Sequence, residues 1–167
     1  MESMKQQLAG LGAALLLLGS CNTNGSLTTS GLNPTAFDTT INGKKVELYT
    51  LTNGKGMEVC LTNYGGRVVS ISVPDKNGKA TDVVLGYDNI KQYADTLKSP
   101  SDYGSSVGRY ANRIKDAVLH IGDKSYQLKA NDNGNCLHGG GTTGWLNKVY
   151  DVQSVTDSSI VFAMTAP

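Results

Sequence analysis

A chain of 167 residues allows one ordinary domain with a real hydrophobic core. Its 15 lysines and arginines stand against 14 aspartates and glutamates, and no basic stripe or block of like charge interrupts the balance, so nucleic acid is excluded as a partner. Twenty glycines, eight tyrosines and abundant Thr, Val and Asn favour strands and turns over helices.

The first 21 residues are a separate object. Lys5 gives a weak positive start, Leu8 to Leu18 is an uncharged run, and Gly19-Ser20-Cys21 follows. An apolar stretch this short reads as the core of an export signal rather than a membrane span. Leu18-Gly19-Ser20-Cys21 resembles the lipobox of bacterial lipoproteins. That resemblance implies lipidation of Cys21 and an exported, periplasmic or outer-membrane-associated protein held to the membrane only by its N-terminal lipid; a simple cleaved secretory signal is the other reading. Residues 22–36 are rich in Asn, Thr, Ser and Gly and are expected to be a flexible tether with nothing to form a core. The domain is expected over residues 37–167.

From Phe37 the apolar residues recur with period two. Asn42-Gly43 signals a hairpin, and Asn53-Gly54 and Asn77-Gly78 signal further turns between alternating strands. Pro74 is expected to end the strand that contains Val69, Ile71 and Val73. Asn89 to Thr96 is expected as a short helix capped by Asp88 or Asn89. Val118–Ile121 and Lys124–Leu128 read as a hairpin turning at Gly122-Asp123, and strands are expected over Lys148–Val155 and Ile160–Met164. Many short strands with frequent turns predict an all-β, antiparallel sandwich or barrel.

Two runs carry the candidate chemistry: Gly108-Arg109-Tyr110-Ala111-Asn112-Arg113-Ile114 and Asn133-Gly134-Asn135-Cys136-Leu137-His138-Gly139-Gly140-Gly141. Arg113 offers a planar charged fork that suits vicinal hydroxyls or a carboxylate, and Asn112 adds a donor and an acceptor. Read alone, the pair is first a surface arginine in a salt bridge. The His138 imidazole suits proton transfer or hydrogen bonding to a hydroxyl, and its glycine neighbours permit close approach; read alone, it is first a turn histidine. The hairpin between the two runs would bring their ends together. His120 reads as structural or exposed. Two histidines with no third ligand at metal spacing argue against zinc. The glycine-rich loop lacks the Gly-Lys-Ser/Thr ending of a phosphate loop and the strand–helix context of a dinucleotide site. Trp145 and Tyr150 read as core before they read as sugar-stacking faces. Cys60 reads as a buried thiol, although an exported compartment would permit a bridge to Cys136.

Taken in order, Asn63-Tyr64-Gly65-Gly66, Val83 to Tyr87, the Asn112-Arg113 run, Tyr126-Gln127-Leu128, Asn131 to Asn135 and Leu137-His138-Gly139-Gly140 resemble the aldose 1-epimerase (galactose mutarotase) family, over about Phe37 to Met164. The resemblance implies a galactose mutarotase-like antiparallel β-sandwich. It implies interconversion of the α and β anomers of free aldohexoses such as galactose and glucose, without cofactor or metal. It assigns sugar binding to Asn112, Arg113 and His138, with His138 in a supporting role near the ring oxygen. The family's general-acid histidine and glutamate base belong to later segments than the chain's last residue, Pro167. The expectation is therefore an incomplete sandwich without turnover of its own, prone to stick. The alternative is a non-catalytic carbohydrate-binding lipoprotein. An epimerase of hexose 6-phosphates would want an extra cationic cluster.

Overall fold

Short turns, several of them closed by a local side chain, set out the strands. The computed structural model describes residues 26–95 and 102–165; the expected signal segment and its Cys21 lie outside these residues. Strand β1 (Thr39–Ile41) turns through Asn42-Gly43, both at positive φ, into β2 (Lys44–Val46), with Ile41 paired to Lys44. This is the mirror-image turn that matches strand twist.

The central sheet follows in simple order: β3 (Leu48–Thr52), β4 (Glu58–Thr62), β5 (Arg67–Pro74) and β6 (Ala80–Asp82), all antiparallel. At the β3–β4 turn the Asn53 side-chain oxygen accepts from the backbone N–H groups of Lys55 and Met57. Asp75 does the same for Asn77 and Lys79 between β5 and β6. Such local bonds are why Asn and Asp mark turns. Pro74 is the last residue of β5, as expected. A register shift between β4 and β5, where Cys60 faces Ser70 but Leu61 faces Val68, leaves Val69 as the extra residue of a bulge and buries it. Helix α1 (Ile90–Ala94) starts at Asn89, whose side chain accepts from Gln92 N–H, and it buries Ile90 and Tyr93. The core collects Phe37, Val46, Cys60, Tyr64, Val69, Ile90, Tyr93 and Val149.

Residues 26–36 do not behave as a free tether. Thr28 and Leu32 close a turn through their backbone and the Thr28 hydroxyl, Thr29 N–H donates to Glu58 (2.6 Å), and Leu32 joins the core. Asn33 then caps a short 3-10 turn, Pro34–Phe37, that seats Phe37 at 0% exposure. One leucine and one phenylalanine anchor a stretch whose average composition is that of a linker.

The remaining strands form two-stranded antiparallel ribbons: β7 (Arg113–Ile114) with β10 (Cys136–Leu137), β8 (Val118–Ile121) with β9 (Lys124–Gln127), and β11 (Asp151–Val155) with β12 (Ile160–Ala163). The all-β expectation holds, with α1 the single α-helix among the described residues. Residues 148–150, expected within the first strand of the last pair, instead bond to the Asn63–Gly65 segment: Gly65 N–H donates to Lys148, Tyr150 N–H donates to Asn63, and Tyr64 bridges Val149. No helix among the described residues is long and apolar enough to cross a membrane.

Candidate functional site

The β8–β9 hairpin does what its sequence position suggests. It folds out between the two runs and lets β7 and β10 pair, with Arg113 opposite Leu137 and Ile114 opposite Cys136. Asn112 and His138 flank this ribbon and are joined twice. His138 N–H donates to Asn112 O, and Asn112 N–H donates to His138 Nδ1, each at 3.0 Å. A backbone N–H can only donate, so Nδ1 carries its lone pair and the neutral ring holds its proton on Nε2. That Nε2 lies 3.7 Å from an Asp102 carboxylate oxygen, beyond hydrogen-bond length. Nε2–H is therefore the ring's remaining donor. Asn112 (φ 59°) and His138 (φ 50°) both occupy the left-handed region, a strained choice for histidine and a concentration of the kind found at functional sites.

Arg113 is half exposed and oriented from two sides. Its Nε donates to Asp132 Oδ2 at 2.5 Å, and its Nη1 donates to Asn112 Oδ1 at 3.1 Å. The surface reading of Arg113 is thus right about the salt bridge, and the bridge also aims the rest of the fork. The strand that ends just before His138 is held by Asn131. That side chain accepts from Leu137 N–H (2.7 Å) and donates to Leu137 O (3.1 Å), so one amide imitates a neighbouring strand. Asp102, Asn131 and Asp132 escape sequence reasoning as individual contributors. The Asn-Asp-Asn-Gly-Asn cluster signals a turn, and nothing local ties its aspartate to a distant arginine.

Alternation along β7 and β10 separates two faces. Ile114 and Cys136 line a mostly apolar cavity of about 700 Å³ together with Leu119, Leu128, Trp145 and Met164, and Lys44, Arg109, Lys129 and Lys148 also border it. Asn112, Arg113 and His138 do not line it. Trp145 is half-buried against this cavity and Tyr150 is buried, in keeping with core roles. His120 is exposed and meets Ser125 across its hairpin, away from the site. Cys60 and Cys136 are both buried free thiols, so the permitted bridge is not formed; burial, helped by Glu58, pushes the Cys60 thiol up to about 11. Among the described residues no three metal-ligating side chains converge.

The family model for aldose 1-epimerase matches residues 47–167. The chain belongs to the aldose 1-epimerase family. It is 32% identical over 151 residues to a probable aldose 1-epimerase of Arthroderma benhamiae, covering 89% of this chain and 34% of that protein. It is 35% identical over 125 residues to mouse galactose mutarotase, covering 75% and 35%. Its fold superposes on the crystal structure of a GalM/aldose epimerase homologue from C. elegans with a TM-score of 0.66 and 32% identity, over 71% of this chain and 35% of that one. A galactose 1-epimerase from Lactobacillus acidophilus gives a TM-score of 0.58 and 28% identity, over 72% and 33%. The chain thus spans about a third of the length of the relatives it matches. The neighbours support the galactose mutarotase-like, mostly β fold expected from the sequence.

Proposed function

We propose that this chain supplies the sugar-binding part of an aldose 1-epimerase site, for interconversion of the α and β anomers of free aldohexoses such as galactose and glucose. The observation that carries the reading is the pair of hydrogen bonds between Asn112 and His138. It fixes one imidazole tautomer, with the proton on Nε2, beside an arginine fork that Asp132 and Asn112 orient. A pyranose offers adjacent hydroxyls to the fork and a ring or hydroxyl oxygen to the imidazole. Mutarotation itself needs an acid and a base on opposite sides of the ring. Asp102 and His138 sit side by side, which suits gripping hydroxyls better than that task.

Calorimetric titration with galactose tests the binding reading. Saturable heat is expected, and Arg113→Ala should abolish it while leaving the circular dichroism spectrum unchanged. Absence of heat from the unaltered chain would end the proposal. Polarimetry of freshly dissolved α-glucose separates binding from turnover. A rate equal to the buffer blank is expected from this chain by itself, and a clearly faster one would assign the whole reaction to it.

We further propose export and lipid anchoring through Cys21, which would place the site in an envelope compartment. The support is the apolar run ending in Leu18-Gly19-Ser20-Cys21. Labelled palmitate should be incorporated on expression in a bacterial host and lost in Cys21→Ala. Equal labelling of the two would refute anchoring at this cysteine.

A further inference from the structure

The Asn63-Tyr64-Gly65-Gly66 run and the arginine that follows it have no role in the sugar grip as described. Arg67 is nonetheless a charged side chain at 0% exposure. Burying a guanidinium is unfavourable unless its donors are used, and such a residue is weak evidence for stability. Its donors point to geometry instead. Nη1 donates to Tyr103 O and Nη2 to Leu146 O, each at 3.0 Å, while the Tyr64 and Tyr93 rings flank the group at 5.7 and 5.2 Å. The two carbonyls belong to different segments, and neither belongs to the central sheet.

One of those segments carries Asp102, directly before Tyr103, and leads to Asn112. The other runs from His138 through the glycine loop to Leu146. Their meeting is tight. Trp145 N–H donates to Gly108 O, and a Cβ at Gly139 would strike that same carbonyl oxygen. The first segment also lies against the stretch around Arg67, where Ser106 N–H donates to Gly65 O and a Cβ at Gly104 would collide with the Val68 backbone. The guanidinium therefore spans the gap between the stretch that presents Asp102 and the stretch that presents His138. A lysine could reach one carbonyl and an aliphatic side chain neither.

We infer that Arg67 is the positioning residue of the sugar site, its buried fork fixing Asp102 against His138 Nε2 by holding the Tyr103 and Leu146 carbonyls together. The inference rests on the sugar-binding reading of His138, and its test is readable without sugar. In the unaltered chain, nuclear Overhauser contacts should link the Arg67 guanidinium protons to both Tyr103 and Leu146; absence of either overturns the inference without any substitution. Arg67→Lys should shift the His138 Nε2 nitrogen resonance in the same direction as Asp102→Asn. It should also weaken galactose binding on the order of tenfold, as loss of a positioning contact does. The double variant should be no weaker than Arg67→Lys alone, because both changes break one connection. A folded Arg67→Lys with an unmoved His138 resonance, or additive losses in the double variant, would show a purely structural role. If the unaltered chain binds no galactose, the sugar reading fails, and the His138 resonances still decide the part played by Arg67.

Discussion

The Arg113–Asp132 contact decides which of the arginine's N–H groups face outward. Nε is taken by Asp132 and one Nη1 proton by Asn112, so the Nη2 edge of the fork is left to meet a ligand. Arg113 keeps 52% of its side chain exposed, and exposed ion pairs contribute no more than about 1 kcal/mol to stability. Orientation and stability should therefore separate. Asp132→Asn is expected to leave the urea midpoint nearly unchanged and to weaken galactose binding several-fold in calorimetry, on the order of the loss from an unpaired charge-assisted bond. Unchanged affinity would mean that Asn112 alone aims the guanidinium. Arg113 and His138 were legible as candidate site residues because family motifs carry them. Asp132 was not, because a carboxylate inside a turn cluster looks like turn chemistry until the fold delivers an arginine to it.

Elements set by local rules were the most readable. The Asn42-Gly43 and Gly122-Asp123 hairpins and the Asn89 cap each depend on a few adjacent residues, and all form where the sequence places them. Elements set by distant carbonyls were not readable. Residues 148–150 bond to Asn63–Gly65 rather than continuing a ladder, and Leu32 docks from a stretch of linker-like composition. Two glycines separate local from distant demands. Gly122 (φ +58°) turns the β8–β9 hairpin into open space, whereas Gly139 (φ +86°) follows His138 and a Cβ there would strike the Gly108 carbonyl oxygen. Gly122→Ala meets only left-handed strain, about 1–2 kcal/mol. Gly139→Ala adds a backbone collision that forces the segment before Asn112 away from the His138 loop. Urea unfolding should show the larger loss for Gly139→Ala, and only that variant should lose galactose heat; equal effects would sink the claim that the two runs touch there.

At the scale of the molecule, the core is rich in groups that must stay neutral. Burial raises the phenols of Tyr49, Tyr64, Tyr93 and Tyr150, with Glu47 adding to the effect at Tyr49, and it pushes the Cys60 thiol from 9.0 to about 11. All five shifts run the same way. A folded-state value above the unfolded one means that the unfolded chain loses its proton first. The associated stability is fully present below the unfolded values, about 9 for the thiol and about 10 for the phenols, and drains as pH rises through the folded ones. Cys60 alone would remove on the order of 2 kcal/mol by pH 11, at about 1.4 kcal/mol per unit. Arg67, packed between Tyr64 and Tyr93, offsets only part of the rise: its positive charge favours both phenolates, and burial outweighs it at each. The fold should therefore hold a flat urea midpoint from neutral pH to about 9 and then lose stability steeply. Phenolate absorbance should rise in a step that coincides with loss of the far-ultraviolet circular dichroism signal, since the four raised phenols ionise as the core opens. If the full phenolate absorbance of all eight tyrosines is reached while the dichroism is unchanged, the buried phenols are reached by water without unfolding, and the packing around Arg67 is looser than its two carbonyl bonds require.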